Sequence, residues 1–111
     1  MAQNKKEAFK KDELALADFA KAIGHPARIA ILKALAERET CICGEIVELM
    51  PLAQSTVSQH LKELLKADLI KGTIDGAKSC YCINWKTFDK FSQSFNQIFT
   101  KIKNKQHPTC C

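Results

Sequence analysis

Nowhere does this chain of 111 residues approach the roughly 18 to 20 consecutive apolar residues that a membrane span needs. Its Lys-rich start, Met1 to Asp12, lacks the apolar centre of a secretory signal. Both absences point to a cytosolic protein with no membrane partner. Glycine is scarce, at four residues, and none sits in a loop that could cradle a phosphate. With three scattered histidines and little room for a substrate pocket, an enzyme is not expected. Internal repeats and long low-complexity tracts are missing as well. Length allows one domain at most, spanning 1–111, with 1–12 and 104–111 expected as flexible tails. So short a chain buries a modest share of its surface, so a second copy is expected to complete the core.

What the chain does have is cysteine and positive charge. Net charge is +5, which weakly favours a polyanionic partner. Six cysteines fall in three close pairs, Cys41/Cys43, Cys80/Cys82 and Cys110/Cys111. In a reducing compartment such pairs more often mean metal or redox chemistry than structural disulfides.

Helical periodicity begins with Leu16, Phe19, Ala20 and Ile23, and Gly24 ends it. His25-Pro26 opens a second helix, with Pro26 suited to its first position. After a polar break, Glu45–Met50 reads as a short helix stopped by Pro51. The next helix runs over 54–67. At about 100° per residue, Val57, Leu61, Leu64 and Leu65 share one face. Ser55, Gln59, Lys62 and Lys66 lie opposite. Leu69 to Ile74 alternates loosely, Asp75-Gly76 signals a hairpin turn, and Ser79 to Ile83 returns. A last helix, about Trp85 to Lys103, carries an aromatic stripe. This order predicts a mainly α fold with a small β-hairpin wing, a winged helix-turn-helix.

The polar face of the 54–67 helix suits a DNA major groove. Ser55, Thr56, Ser58 and Gln59 can reach base edges or phosphates, and Lys62 and Lys66 suit phosphates. The plain alternative is a solvated helix face. His60 sits at the border of the apolar face, where a packed or phosphate-bonding role is preferred over base reading.

The run Gln54-Ser55-Thr56-Val57-Ser58-Gln59-His60-Leu61-Lys62-Glu63-Leu64 resembles the recognition helix of ArsR/SmtB repressors. Lys21 to Ile29 resembles that family's junction between early helices, and Asp68-Leu69-Ile70 its exit into the wing. Ala53 departs from the Ser often found there. The resemblance implies a homodimer on near-palindromic double-stranded operator DNA, joined by the first and last helices. Phe88, Phe91, Phe95 and Phe99 are the candidate dimer surface; the plain alternative is intramolecular core. Asp75-Gly76-Ala77-Lys78 would be the wing tip, with Lys78 near the DNA backbone. Arg28 is either a phosphate contact or a solvated helix residue.

Glu39-Thr40-Cys41-Ile42-Cys43-Gly44-Glu45 resembles the Cys-Val-Cys metal box of the family's arsenic- and cadmium-sensing branch. Soft thiolates favour thiophilic ions such as As(III), Sb(III), Cd(II) or Pb(II). The resemblance implies that DNA binding needs no cofactor and that such an ion, As(III) or Sb(III) first, acts as inducer. Arsenic wants three thiolates, and the position that supplies the third in some relatives is Ile46 here. The terminal pair Cys110-Cys111 is one candidate source. Cys80-Cys82 on the returning wing strand is the other, although packing is the preferred reading for strand cysteines. If residues 41–43 added to the sheet beside that strand, the two Cys-X-Cys units would approach one another. The family's zinc-type site is not expected, since Asp89 has no histidine near it on the last helix. Two other functions stay open: a thiol redox or persulfide switch on the same scaffold, and a Cys-rich metal-binding interaction module with no DNA role.

Overall fold

A computed structural model describes residues 8–38, 41–44, 46–75 and 78–107, with Cys43, 73–75 and Lys78 described by backbone alone. Among the described residues four helices, α1 (Lys11–Ala22), α2 (Pro26–Ala36), α3 (Gln54–Lys66) and α4 (Trp85–Lys103), surround a sheet of β1 (Ile42–Cys43), β2 (Ile70–Asp75) and β3 (Lys78–Ile83). The sheet is antiparallel in the order β1-β3-β2. The winged helix-turn-helix plan is therefore present, and the short third strand beside the wing is present too.

Local chemistry explains the breaks. His25 caps α2 by accepting the Ala27 N–H at Nδ1 (3.0 Å), and Pro26 follows at the first helical position. Helix α3 begins at Ala53 with no side-chain cap. It ends in a left-handed residue, Asp68 (φ +63°), with Leu69 N–H donating back to the Leu64 carbonyl (3.1 Å). Thr87 Oγ1 donates to Asp68 Oδ2 (3.0 Å), tying this corner to the start of α4. The chain then enters β2 as expected.

One expected element takes another form. Instead of a short helix over Glu45–Met50, residues 46–50 form successive tight turns. Leu49 N–H bonds the Ile46 carbonyl and Met50 N–H the Val47 carbonyl, both at 3.2 Å. Gly44, left-handed at φ +74°, and Pro51 bound a segment too short to repay helix nucleation. Glu45 itself lies outside the described residues. Ile46 still reaches the interior, while Leu49 faces outward.

The core gathers Ile31, Leu32 and Leu35 of α2, Val57, Leu61 and Leu64 of α3, and Ile42, Leu69, Ile70 and Ile83 around the sheet. Helix α4 joins through Phe91, whose ring lies 5.2 Å from that of Phe19 on α1. Among the described residues no helix is long and apolar enough to cross a membrane.

Candidate nucleic-acid interface and cysteine ladder

Burying Val57, Leu61 and Leu64 turns the opposite side of α3 to solvent. Ser55, Thr56, Ser58, Gln59, Lys62 and Lys66 are all exposed. Little on this face is committed elsewhere. Gln59 Nε2 approaches Glu63 at 3.5 Å and Lys66 lies 3.6 Å from the same carboxylate; both are weak surface contacts that a phosphate or base can replace. Leu65, expected on the apolar face, is 37% exposed, and His60 takes its place inside. The helical wheel places both at the border, and packing against α2 decides between them.

His60 is packed inside rather than standing on the polar face. It is 7% exposed, and its Nδ1 accepts a hydrogen bond from Arg28 Nε (3.1 Å). Arg28 also donates from Nη1 to the Ala22 carbonyl at the end of α1 (3.1 Å). The His25 ring lies 4.3 Å from the His60 ring. Burial, then the nearby His25 and Arg28, lowers the His60 pKa from its ordinary value of 6.5. A neutral imidazole with its proton on Nε2 is the form that Arg28 requires. Arg28, half-buried, is thus engaged within the chain rather than standing as a plain solvated helix residue. It latches α1, α2 and α3 together and fixes the angle of the polar face. The sequence flags this latch only through the His25-Pro26 cap, because its partners lie 32 residues apart.

The aromatic stripe divides. Phe91 is buried within its own chain and Phe88 is half-buried, so packing claims them first. Phe95 and Phe99 stack on each other at 4.5 Å and remain 45% and 48% exposed. With Leu16, Ala20, Ile23 and Ile98 they line an open apolar groove of about 400 Å³ between α1 and α4.

On the wing, β1 pairs with β3 so that Ile42 faces Tyr81 and Cys43 faces Cys80. Cys41 stands opposite Cys82, with Cα atoms 4.7 Å apart, and the two sulfurs are joined as a disulfide. Cys80 is likewise disulfide-bonded and is 3% exposed. Cys41 is exposed and Cys82 half-buried. The structure therefore brings the two Cys-X-Cys units together, and gives Cys82 a bonded partner immediately before β1 rather than isolated packing. Among the described residues no group of three or more His, Cys, Asp or Glu side chains is poised around a metal position. Cys110, Cys111, the wing-tip residues 76–77 and the side chains of Cys43 and Lys78 lie outside what is described. Asp89 is exposed on α4, and His107 is exposed after its end.

A polar helix face followed by a β-hairpin is the plan of a winged helix-turn-helix. Residues 25–71 match the model of the arsR family of bacterial regulatory proteins. The chain is 35% identical over 93 residues to the arsenical resistance operon repressor of Bacillus subtilis, covering 82% of this chain and 85% of that protein. It is 31% identical over 85 residues to the protein of the same description from Staphylococcus xylosus, covering 77% and 81%. The fold aligns with an ArsR-like transcriptional regulator from Rhodococcus at a TM-score of 0.69 and 17% identity, covering 84% of this chain and 87% of that one. The chain belongs to the ArsR/SmtB family of transcriptional repressors and is a regulator rather than an enzyme.

Proposed function

We propose that the chain is a homodimeric repressor of the reducing cytosol that binds double-stranded operator DNA and is released by a thiophilic metal or metalloid ion, As(III) or Sb(III) first. The observation that carries this reading is the outer face of α3, where small hydrogen-bonding residues and two lysines stand exposed with almost no intramolecular work. Ser55, Thr56, Ser58 and Gln59 would read base edges or phosphates, Lys62 would neutralise a phosphate, and Lys78 would reach the backbone from the wing. Phe95 and Phe99, with the groove beside them, would meet the same surface of a second copy; stacked aromatics half-open to water gain most from being covered. Cys41 and Cys43 would hold the ion, immediately before the turns that lead into α3. An ion bound more tightly by the DNA-free state lowers DNA affinity by linkage.

The test is fluorescence anisotropy of the reduced protein on DNA upstream of its own gene, at fixed salt, with arsenite titrated in. Binding followed by release on stoichiometric arsenite supports the reading. Gln59→Ala is expected to cost about 1–3 kcal/mol of specific binding, whereas Lys62→Ala flattens the salt dependence by about one unit of slope. Failure to bind any DNA would overturn it and favour a metal-binding interaction module.

The Cys41–Cys82 disulfide favours a second reading, a thiol redox or persulfide switch on the same scaffold. Release by peroxide or polysulfide but not by arsenite would select it.

A further inference from the structure

We infer that Cys82, on wing strand β3, is the third ligand of the thiophilic-ion site begun by Cys41 and Cys43. The inference rests on the ion-sensing reading above and adds to it a ligand from a different structural element.

The ladder itself supplies the reason. Gly44 N–H donates to the Ser79 carbonyl (3.2 Å), so 44 and 79 form a hydrogen-bonded pair. Antiparallel ladders alternate, which makes both 43/80 and 41/82 the narrow pairs, where side chains stand closest. The Cα separation of 4.7 Å at 41/82 agrees with a narrow pair, typically about 4.5 Å. Cys41, Cys43 and Cys82 therefore hold positions on one face of two adjoining strands, by the period of two along each.

Sulfurs close enough to join are close enough to share an ion once reduced. A disulfide holds them about 2 Å apart. Ligands of one soft ion, each bonded at about 2.3 Å, sit less than about 4 Å apart. Small side-chain rotations cover the difference with both strands in place. Access agrees with the assignment. Cys41 is exposed and Cys82 half-buried, whereas Cys80, at 3% exposure, is the least accessible of the three. Three thiolates satisfy a trivalent metalloid, and the position following the Cys-X-Cys box that carries no thiol, Ile46, is 2% exposed and packed in the core.

The two chemistries at this pair exclude one another. As the disulfide, Cys41 and Cys82 offer no thiolate. An external dithiol or a phosphine must first supply two electrons, with two protons taken up, for this disulfide and again for that of Cys80, leaving two thiols from each. Binding of the ion then releases the thiol protons. An ion held by 41, 43 and 82 also ties the return strand of the wing to the segment entering the helix-turn-helix, so the ion touches both parts of the DNA-binding surface.

The experiment titrates arsenite into the full chain reduced with a phosphine, following sulfur-to-arsenic charge-transfer absorbance in wild type, in Cys82→Ser and in the double variant Cys110→Ser/Cys111→Ser. Cys82→Ser is expected to weaken binding at least about 100-fold, since changes beyond the ligands alone can cost up to that much. The terminal double variant is expected to bind as wild type. In parallel, alkylation mass spectrometry of the unmutated protein is expected to show Cys41, Cys43 and Cys82 protected by arsenite while Cys110 and Cys111 stay reactive; this arm stands even if Cys82→Ser folds poorly. Unchanged binding in Cys82→Ser, or protection of the terminal pair in place of Cys82, overturns the assignment while leaving the sensor reading intact. A wild type blind to arsenite and to Cd(II) overturns both.

Discussion

Helices α3 and α4 are both strongly amphipathic, yet they spend their apolar sides differently. On α3, Val57 and Leu64 are fully buried and Leu61 nearly so, closed against α2 and the sheet of the same chain. On α4, only Phe91 is buried, while Phe95, Phe99 and Ile102 stay 45%, 48% and 59% exposed. The polar side of α3 is thus a finished surface presented outward by a complete core. The apolar side of α4 is an unfinished one. An amphipathic pattern announces that a face will be covered, and says nothing about whether the cover lies in the same chain.

The sharpest way to break this contrast is one truncation on each helix. Leu64→Ala is expected to cost about 2–5 kcal/mol of stability, the range for a fully buried leucine, seen as a lowered urea midpoint. Phe99→Ala is expected to leave that midpoint nearly unchanged at low protein concentration and to shift sedimentation toward the monomer. Equal losses of midpoint in both variants, with no change in sedimentation, would show that α4 is core like α3.

A smaller effect probes the latch that sets the angle of α3. The His60 pKa is lowered in the folded protein by burial, His25 and Arg28. Between that lowered value and about 6.5 the unfolded chain binds more protons, so stability falls as pH drops below about 6.5 and levels off below the folded value. Urea midpoints measured from about pH 7.5 down to about pH 5 should show this loss, and His60→Gln should flatten it. An unchanged slope in that variant would place the acid sensitivity elsewhere.

The smallest effect sharpens the α3 side alone. Ala53 begins the helix with no side-chain cap. Ala53→Ser is expected to raise stability by about 1 kcal/mol, measured as a higher thermal midpoint, without altering the helix's polar face.

Much of the architecture was legible from local signals. His25-Pro26, Asp75-Gly76 and the 3-4 spacing on α4 each act within a few residues, and the elements they mark fall where the spacing places them. The 46–50 segment carries apolar residues that fit a helical pattern its length cannot support, so it forms turns. His60 and Leu65 were exchanged because both lie on the border of one wheel, and only the neighbouring helix decides which enters the core. Arg28 bonds His60, a residue on another helix that no local pattern could point to.

The cysteines show the same division most clearly. Spacing by itself determined that each Cys-X-Cys unit keeps its members on one side of a strand, because the side-chain period of a strand is two. Residue type determined that the chemistry there is that of thiols, and the polar face of α3 was set by composition and by a period of 3.6. Only the tertiary structure decided that Cys41 meets Cys82, 41 residues further along the chain. That meeting depends on the register between β1 and β3, and a slip of one residue would turn one pair to the opposite face. Register is set by the burial of Ile42 and by the Gly44–Ser79 hydrogen bond, and these are contacts between segments that sequence order keeps apart.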